Sequence, residues 1–157
     1  MEGFKKIYRE NYKKVDNYLR NICKNTELAE DLTQETFYKA LLMFYSDKSS
    51  YICIKWLIRV AHNNFIDYVR KNKINILNFE PYEEDFKATA KNDTDILHLA
   101  EALGRLPLHF KTAILLKDHY GFSYKEIAEI INSTESSVKV TLHRARKKFR
   151  EVYNSHE

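Results

Sequence analysis

Residues 123–150 read SYKEIAEIINSTESSVKVTLHRARKKFR. Ser123 and Glu126 have the spacing of a capping box, in which the hydroxyl accepts a backbone N–H and the carboxylate reaches back to another. Ile127, Ala128, Ile130 and Ile131 give the next short helix one apolar face, and the small Ala128 suits close helix contact. Asn132 falls where the chain must turn, and Asn tolerates the left-handed conformation better than most non-glycine residues. Thr134 is placed to cap a second helix, whose buried stripe is Val138, Leu142, Ala145 and Phe149 at helical spacing. Two short helices across a tight turn predict a helix-turn-helix, whose second helix lays its N-terminal residues against base edges in the major groove.

The charges of the second helix agree. Lys139, Arg144, Arg146, Lys147, Lys148 and Arg150 occur with no acidic residue among them between positions 139 and 150. Cations on a rigid rod suit DNA, because neutralising phosphates releases condensed counterions. A solvated basic helix covering a bundle would explain the charge alone. It would not explain the coincidence of cap, turn, stripe and charge.

Outward from this motif, the whole chain reads as helical. Its 157 residues contain only three Gly and two Pro, and 44% are hydrophobic. The formal charge of +4 is small but unevenly placed, and local basic patches point to a polyanionic partner. Cys23 and Cys53 are too few for a disulfide framework, so a reducing cytoplasm is expected. No apolar run approaches the roughly 20 residues that span a bilayer. The N-terminal MEGFKKIYRENYKK is charged where a signal peptide would be apolar.

Three helices are predicted in the N-terminal half. The first covers 3–24, with Phe4, Ile7, Tyr8, Val15, Leu19 and Ile22 on one side. The second covers 27–45, with Ala29, Leu32, Thr33, Phe37, Ala40 and Phe44 facing inward and Glu30, Asp31, Gln34, Glu35 and Tyr38 sharing the other face. By pattern alone that face is a solvated acidic surface, although it would also suit a basic partner. A polar loop at 46–51 precedes a third helix near 54–73, whose apolar positions include Leu57, Ile58, Ala61, Phe65, Tyr68 and Val69. Arg59, His62, Asn63, Arg70, Lys71 and Lys73 stand beside aromatic residues there, a mixture that can hold single-stranded DNA. Trp56 and Phe65 are nevertheless read as core, as aromatic residues at helical spacing usually are.

Periodicity lapses over 74–92, which holds Pro81 and the acidic cluster Glu80, Glu83, Glu84 and Asp85, and this segment is read as a linker. A second domain opens near Asp93, with Leu97, Ala100, Leu103 and Leu106 as its first buried stripe. Pro107 is placed in the first turn of the next helix, which runs to Tyr120 with Gly121 as its C-terminal cap. The expected organisation is therefore all-α: a three-helix domain at 1–73, a linker at 74–92, and a four-helix domain at 93–157.

Signals for enzymatic chemistry do not emerge. Three glycines build no phosphate-binding loop, the six histidines are scattered, and no His, Cys or Asp grouping has zinc-site spacing. Neither cysteine has a motif partner for nucleophilic catalysis. Neither an enzyme, a metal nor a cofactor is expected.

Three ordered blocks then carry a family resemblance: AEDLTQETFYKAL at 29–41, WLIRVAHNNFIDYVRK at 56–71, and the helix-turn-helix ending HRARKKFR at 143–150. Together they resemble the bacterial sigma factors of RNA polymerase, in the small extracytoplasmic-function group of the sigma-70 family. That group keeps only the second and fourth conserved regions. The resemblance implies that Asp31, Gln34, Glu35 and Tyr38 dock on the clamp helices of the polymerase's largest subunit, and that the flap of the second-largest subunit is a further contact. It also implies that the third helix and the 46–53 loop read and open the −10 element. Tyr51, Arg59, His62, Asn63, Asp67, Arg70 and Lys71 would touch DNA there, and the loop would accept a flipped base, repaying lost stacking. For the last domain it implies −35 contacts by Ser123, Thr134, Glu135, Ser136, Ser137, Lys139, Val140, His143, Arg144, Arg146 and Lys147.

An anti-sigma factor is a further implied partner, whereas a small-molecule substrate and direct membrane insertion are not. Some positions depart from the family pattern. His62 stands where Arg is common, Asn132 and Ser136 where Gly is frequent, and Val140 and Thr141 where a small polar residue and Arg are more usual. Val140 could meet a thymine methyl. The rival reading is a polymerase-independent dimeric helix-turn-helix regulator with an N-terminal sensing or dimerisation domain, which would bind a palindromic site.

Overall fold

In a computed structural model the described residues are 2–46, 49–72 and 93–155. They form seven α-helices and no strand, in two compact units comprising Met1–Ile74 and Asn75–Glu157. The segment read as a linker, and residues 47–48 of the loop, lie outside the described residues.

The first unit consists of α1 (Glu2–Cys23), α2 (Thr26–Tyr45) and α3 (Ile54–Asn72), with a short 3-10 turn at Ser49–Tyr51. Lys24 takes a left-handed φ of 54°, and Asn25 caps α2 by accepting Leu28 N–H at 3.1 Å. Two residues thus reverse the chain. Val15, Tyr18, Leu19 and Ile22 of α1, Ala29 and Ala40 of α2, and Leu57, Ile58, Ala61 and Phe65 of α3 are fully buried. An aromatic seam continues this core, with Phe37 packed against Tyr8 at 4.9 Å and Tyr12 at 5.7 Å between ring centroids. Trp56 is only half-buried, whereas Phe65 is core as expected.

The second unit comprises α4 (Asp93–Gly104), α5 (Leu108–Ile114), α6 (Tyr124–Ile131) and α7 (Glu135–Asn154). Ala100, Leu103 and Leu106 are buried as expected, but Leu97 is 49% exposed and does not join them. Pro107 sits at the cap of α5 rather than within its first turn. The single helix expected up to Tyr120 instead changes to a π turn at Leu115–His119. There Tyr120 N–H reaches Leu115 C=O at 2.9 Å, and Gly121 ends it with φ 75°. An extra residue per turn shifts the facing of the side chains beyond it, and it brings Asp118 to α7.

The helix-turn-helix closes as its sequence requires. Ser123 Oγ accepts Glu126 N–H at 3.1 Å while Glu126 Oε1 accepts Ser123 N–H at 3.0 Å. Asn132 adopts φ 56°, ψ 57°, and Thr134 Oγ1 accepts Ser137 N–H at 3.1 Å. Val138, Leu142 and Ala145 are buried. Because a β-branched residue strains at positive φ, Asn132→Val is expected to lower the stability of this unit by about 1–2 kcal/mol. Thermal unfolding followed by circular dichroism would check this, with Asn132→Gly near the wild-type midpoint.

Candidate nucleic-acid and docking surfaces

On α7, the face opposite the buried Val138, Leu142 and Ala145 carries Ser136, Val140, His143 and Lys147 at i, i+4, i+7 and i+11, all exposed. Val140 is 48% exposed, an apolar side chain that the domain's own core leaves in solvent. Glu135, Ser137, Lys139 and Arg144 flank this strip and are also exposed. Ser123 and Thr134 are also exposed, and their hydroxyls accept backbone N–H groups as caps, which orients the two helices.

Arg146 lies at the edge of the strip. Its Nε donates to Asp118 Oδ2 at 3.1 Å, and Nη2 donates to Oδ1 of the same carboxylate. Those hydrogen bonds push the guanidinium above its ordinary pKa, and the bidentate geometry fixes its plane. Tyr124, Lys139, His143, Arg146 and Arg150 together line a basic groove beside the strip. Lys117 and Lys139 lie over the Tyr124 ring, at 4.6 and 5.4 Å from its centroid, which holds both ammonium groups near the groove. Separately, an apolar cavity of about 320 Å³ is walled by Leu99, Leu103, Ile114, Leu115 and Phe149, with Asp118, His119, Arg146 and Arg150 also on its lining. Partial burial there lowers the pKa of His119.

On α3, Arg59, Asn63, Asp67 and Arg70 form an exposed stripe at i, i+4, i+8 and i+11, with Lys71 exposed beside it. Arg70 and Asp67 are 3.9 Å apart. In the turn before α3, Tyr51 is 67% exposed. His62 does not join them. It is 7% exposed, with Nδ1 2.8 Å from the Tyr18 hydroxyl in the core. The reading of His62 as a DNA contact is corrected here, since the helical angle that exposes Asn63 turns His62 inward.

On α2, Asp31, Gln34, Glu35 and Tyr38 are all exposed on one face. Gln34 also hydrogen-bonds the Tyr12 hydroxyl, whose pKa burial raises. Glu30, placed on this face by the sequence, pairs with Arg20 at 3.2 Å. The same face continues through Leu42 and Tyr45, 54% and 61% exposed. Those two residues were missed. Their signal was the i+4 and i+7 continuation from Tyr38, obscured by lying in the run ALLMFY. Asp31 to Tyr45 is thus one stripe, acidic in its first half and apolar in its second.

Comparison with known proteins decides what these surfaces belong to. Sigma-70 region 2 matches residues 7–74, and Sigma-70 region 4 matches residues 96–149. The ECF RNA polymerase sigma factor SigM of Bacillus subtilis is 33% identical over 153 residues, covering 94% of this chain and 93% of its own. The chain belongs to the extracytoplasmic-function sigma factors. RNA polymerase sigma factor YlaC of the same bacterium is 31% identical, over 92% of this sigma factor and 88% of its own length. Among solved structures, the sigma factor RpoE of Bartonella quintana, in complex with the anti-sigma factor NepR, shares the fold. Its TM-score is 0.77 at 22% identity over 98% of each chain. CnrH, in complex with the cytosolic domain of CnrY, aligns with a TM-score of 0.71 at 19% identity. The family is one of transcription initiation factors, and the sigma factor directs RNA polymerase to promoters. No helix among the described residues is long and apolar enough to cross a membrane.

Proposed function

We propose that this sigma factor divides promoter recognition between its two units, with 1–73 and 93–157 as its domains, and works in the cytoplasm. The observation that carries this reading is the exposure of three polar faces on α2, α3 and α7, each backed by buried apolar residues of the same helix. The α7 strip of Ser136, Lys139, Val140, His143, Arg144 and Lys147 meets the −35 duplex, through phosphates for affinity and base edges for register. The α3 stripe of Arg59, Asn63, Asp67, Arg70 and Lys71, with Tyr51 before it, holds the opened −10 strand. Asp31, Gln34, Glu35 and Tyr38 dock on the clamp helices of the largest polymerase subunit.

The apolar cavity of the second unit suits the flap of the second-largest subunit. An anti-sigma factor regulates the protein by covering such surfaces. All bond-making chemistry is the polymerase's. Run-off transcription with purified core polymerase on genomic fragments tests the whole reading. Discrete starts that require the protein are expected, while a palindromic duplex bound by the protein alone, without new starts, would point to a dimeric regulator. For the holoenzyme on one such promoter, Arg144→Gln with Lys147→Gln is expected to reduce the salt slope of binding by about 2. Titration at several salt concentrations reads this.

A further inference from the structure

Asn63 and Asn64 are neighbours that point apart. Asn63 is exposed on the α3 stripe, whereas Asn64 is 4% exposed and faces α2. Asn64 Oδ1 accepts from Lys39 Nζ at 2.6 Å, and Asn64 Nδ2 donates to Thr36 Oγ1 at 3.2 Å. Thr36 in turn donates to Leu32 C=O at 2.8 Å. Lys39 can only donate, and the Thr36 hydroxyl hydrogen is already given to Leu32 C=O, so the amide has one orientation. Lys39 is also the 3.6 Å partner of Glu35 on the exposed face, with both side chains about half exposed.

We infer that Lys39 and Asn64 are positioning residues for promoter opening. They fix the rotation of α3 on α2, and through Glu35 they tie that rotation to occupancy of the docking face. This rests on the function proposed above. Apolar packing between α2 and α3 is non-directional and tolerates small rotations, whereas a charge-assisted hydrogen bond to a buried amide does not. Successive helical residues differ by about 100° around the axis, so pinning Asn64 aims Asn63 and with it Arg59 and Asp67. A partner cation that engages Glu35 competes with Lys39 for the carboxylate and repels the ammonium. Asn64 is then the partner Lys39 retains, so docking tightens the hold on α3.

The test uses holoenzyme at saturating core polymerase, with promoter opening read by 2-aminopurine fluorescence within the −10 element. The unfolding midpoint of Lys39→Met falls, because buried Asn64 Oδ1 loses its partner. With core saturating, and at a temperature well below that midpoint, Lys39→Met is expected to reduce opening roughly tenfold, while Lys39→Arg restores most of the opening. Unchanged opening in Lys39→Met overturns the proposal. So does a loss that disappears once the variant is fully bound to core and fully folded, since that makes the network a docking or stability feature only. Failure of the parent reading is a different result: wild-type chain that adds no promoter opening to core at all.

Discussion

Replacing both Asp31 and Glu35 with lysine is expected to weaken the binding of core RNA polymerase about a hundredfold, and to abolish promoter-directed transcription at ordinary concentrations. Both carboxylates are exposed, and the structure gives Glu35 one ion pair, with Lys39 four residues on. Exposed pairs of that spacing are worth only about 0.3–0.5 kcal/mol, so the fold should survive the double change. The loss would therefore belong to the interface, where two attractions become two repulsions. Titrating labelled protein with core, alongside run-off transcription, measures both consequences. A variant that still bound core and transcribed at the wild-type level would remove α2 from the docking surface.

The apolar half of the same stripe bears on how such an interface works. Charges at a rim steer encounter, but affinity concentrates in desolvated apolar anchors. Tyr38, Leu42 and Tyr45 are all more than half exposed, and they succeed the carboxylates along one helix. Steering and burial can thus come from a single element. Charge reversal should then mainly slow association, and truncating Leu42 or Tyr45 should mainly speed dissociation.

Local patterns in the sequence were enough for most of the fold. The capping box at Ser123, the left-handed Asn132 and the Thr134 cap each involve partners within a few residues, and all three take the expected geometry. The exposed faces of α2 and α7 come from helical period alone. The features that the sequence did not disclose depend on partners far along the chain. His62 reads as a polar residue beside Asn63, but its partner Tyr18 is 44 positions away. Arg146 reads as one more phosphate-binding cation, but Asp118 is 28 positions away and reaches it from a π turn that no periodicity marks. Asn64 likewise needs α2 in place before its role can be seen. Leu97 fits the stripe of α4 by spacing, yet it is about half exposed while Ala100 and Leu103 are buried.

His62 also sets an acid limit on the first unit. Burial lowers its pKa from the ordinary 6.5 to about 4, because the charged imidazolium would lose its hydration beside Tyr18. The unfolded chain then binds a proton at higher pH than the folded one. Stability from this group is complete above pH 6.5 and falls as pH drops toward 4, by about 2 kcal/mol at pH 5 and about 3 kcal/mol in all. Two features of the composition isolate the effect. Trp56 is the only tryptophan, and His62 is the only histidine in residues 1–74. Urea unfolding followed by Trp56 fluorescence therefore reports one unit. The wild-type curve should lose stability steadily between pH 7 and 5, and His62→Gln, which keeps a polar group for Tyr18, should be nearly flat there. A flat wild-type curve would mean that the folded unit admits the imidazolium, and the Tyr18–His62 pair would then have to open without unfolding α3.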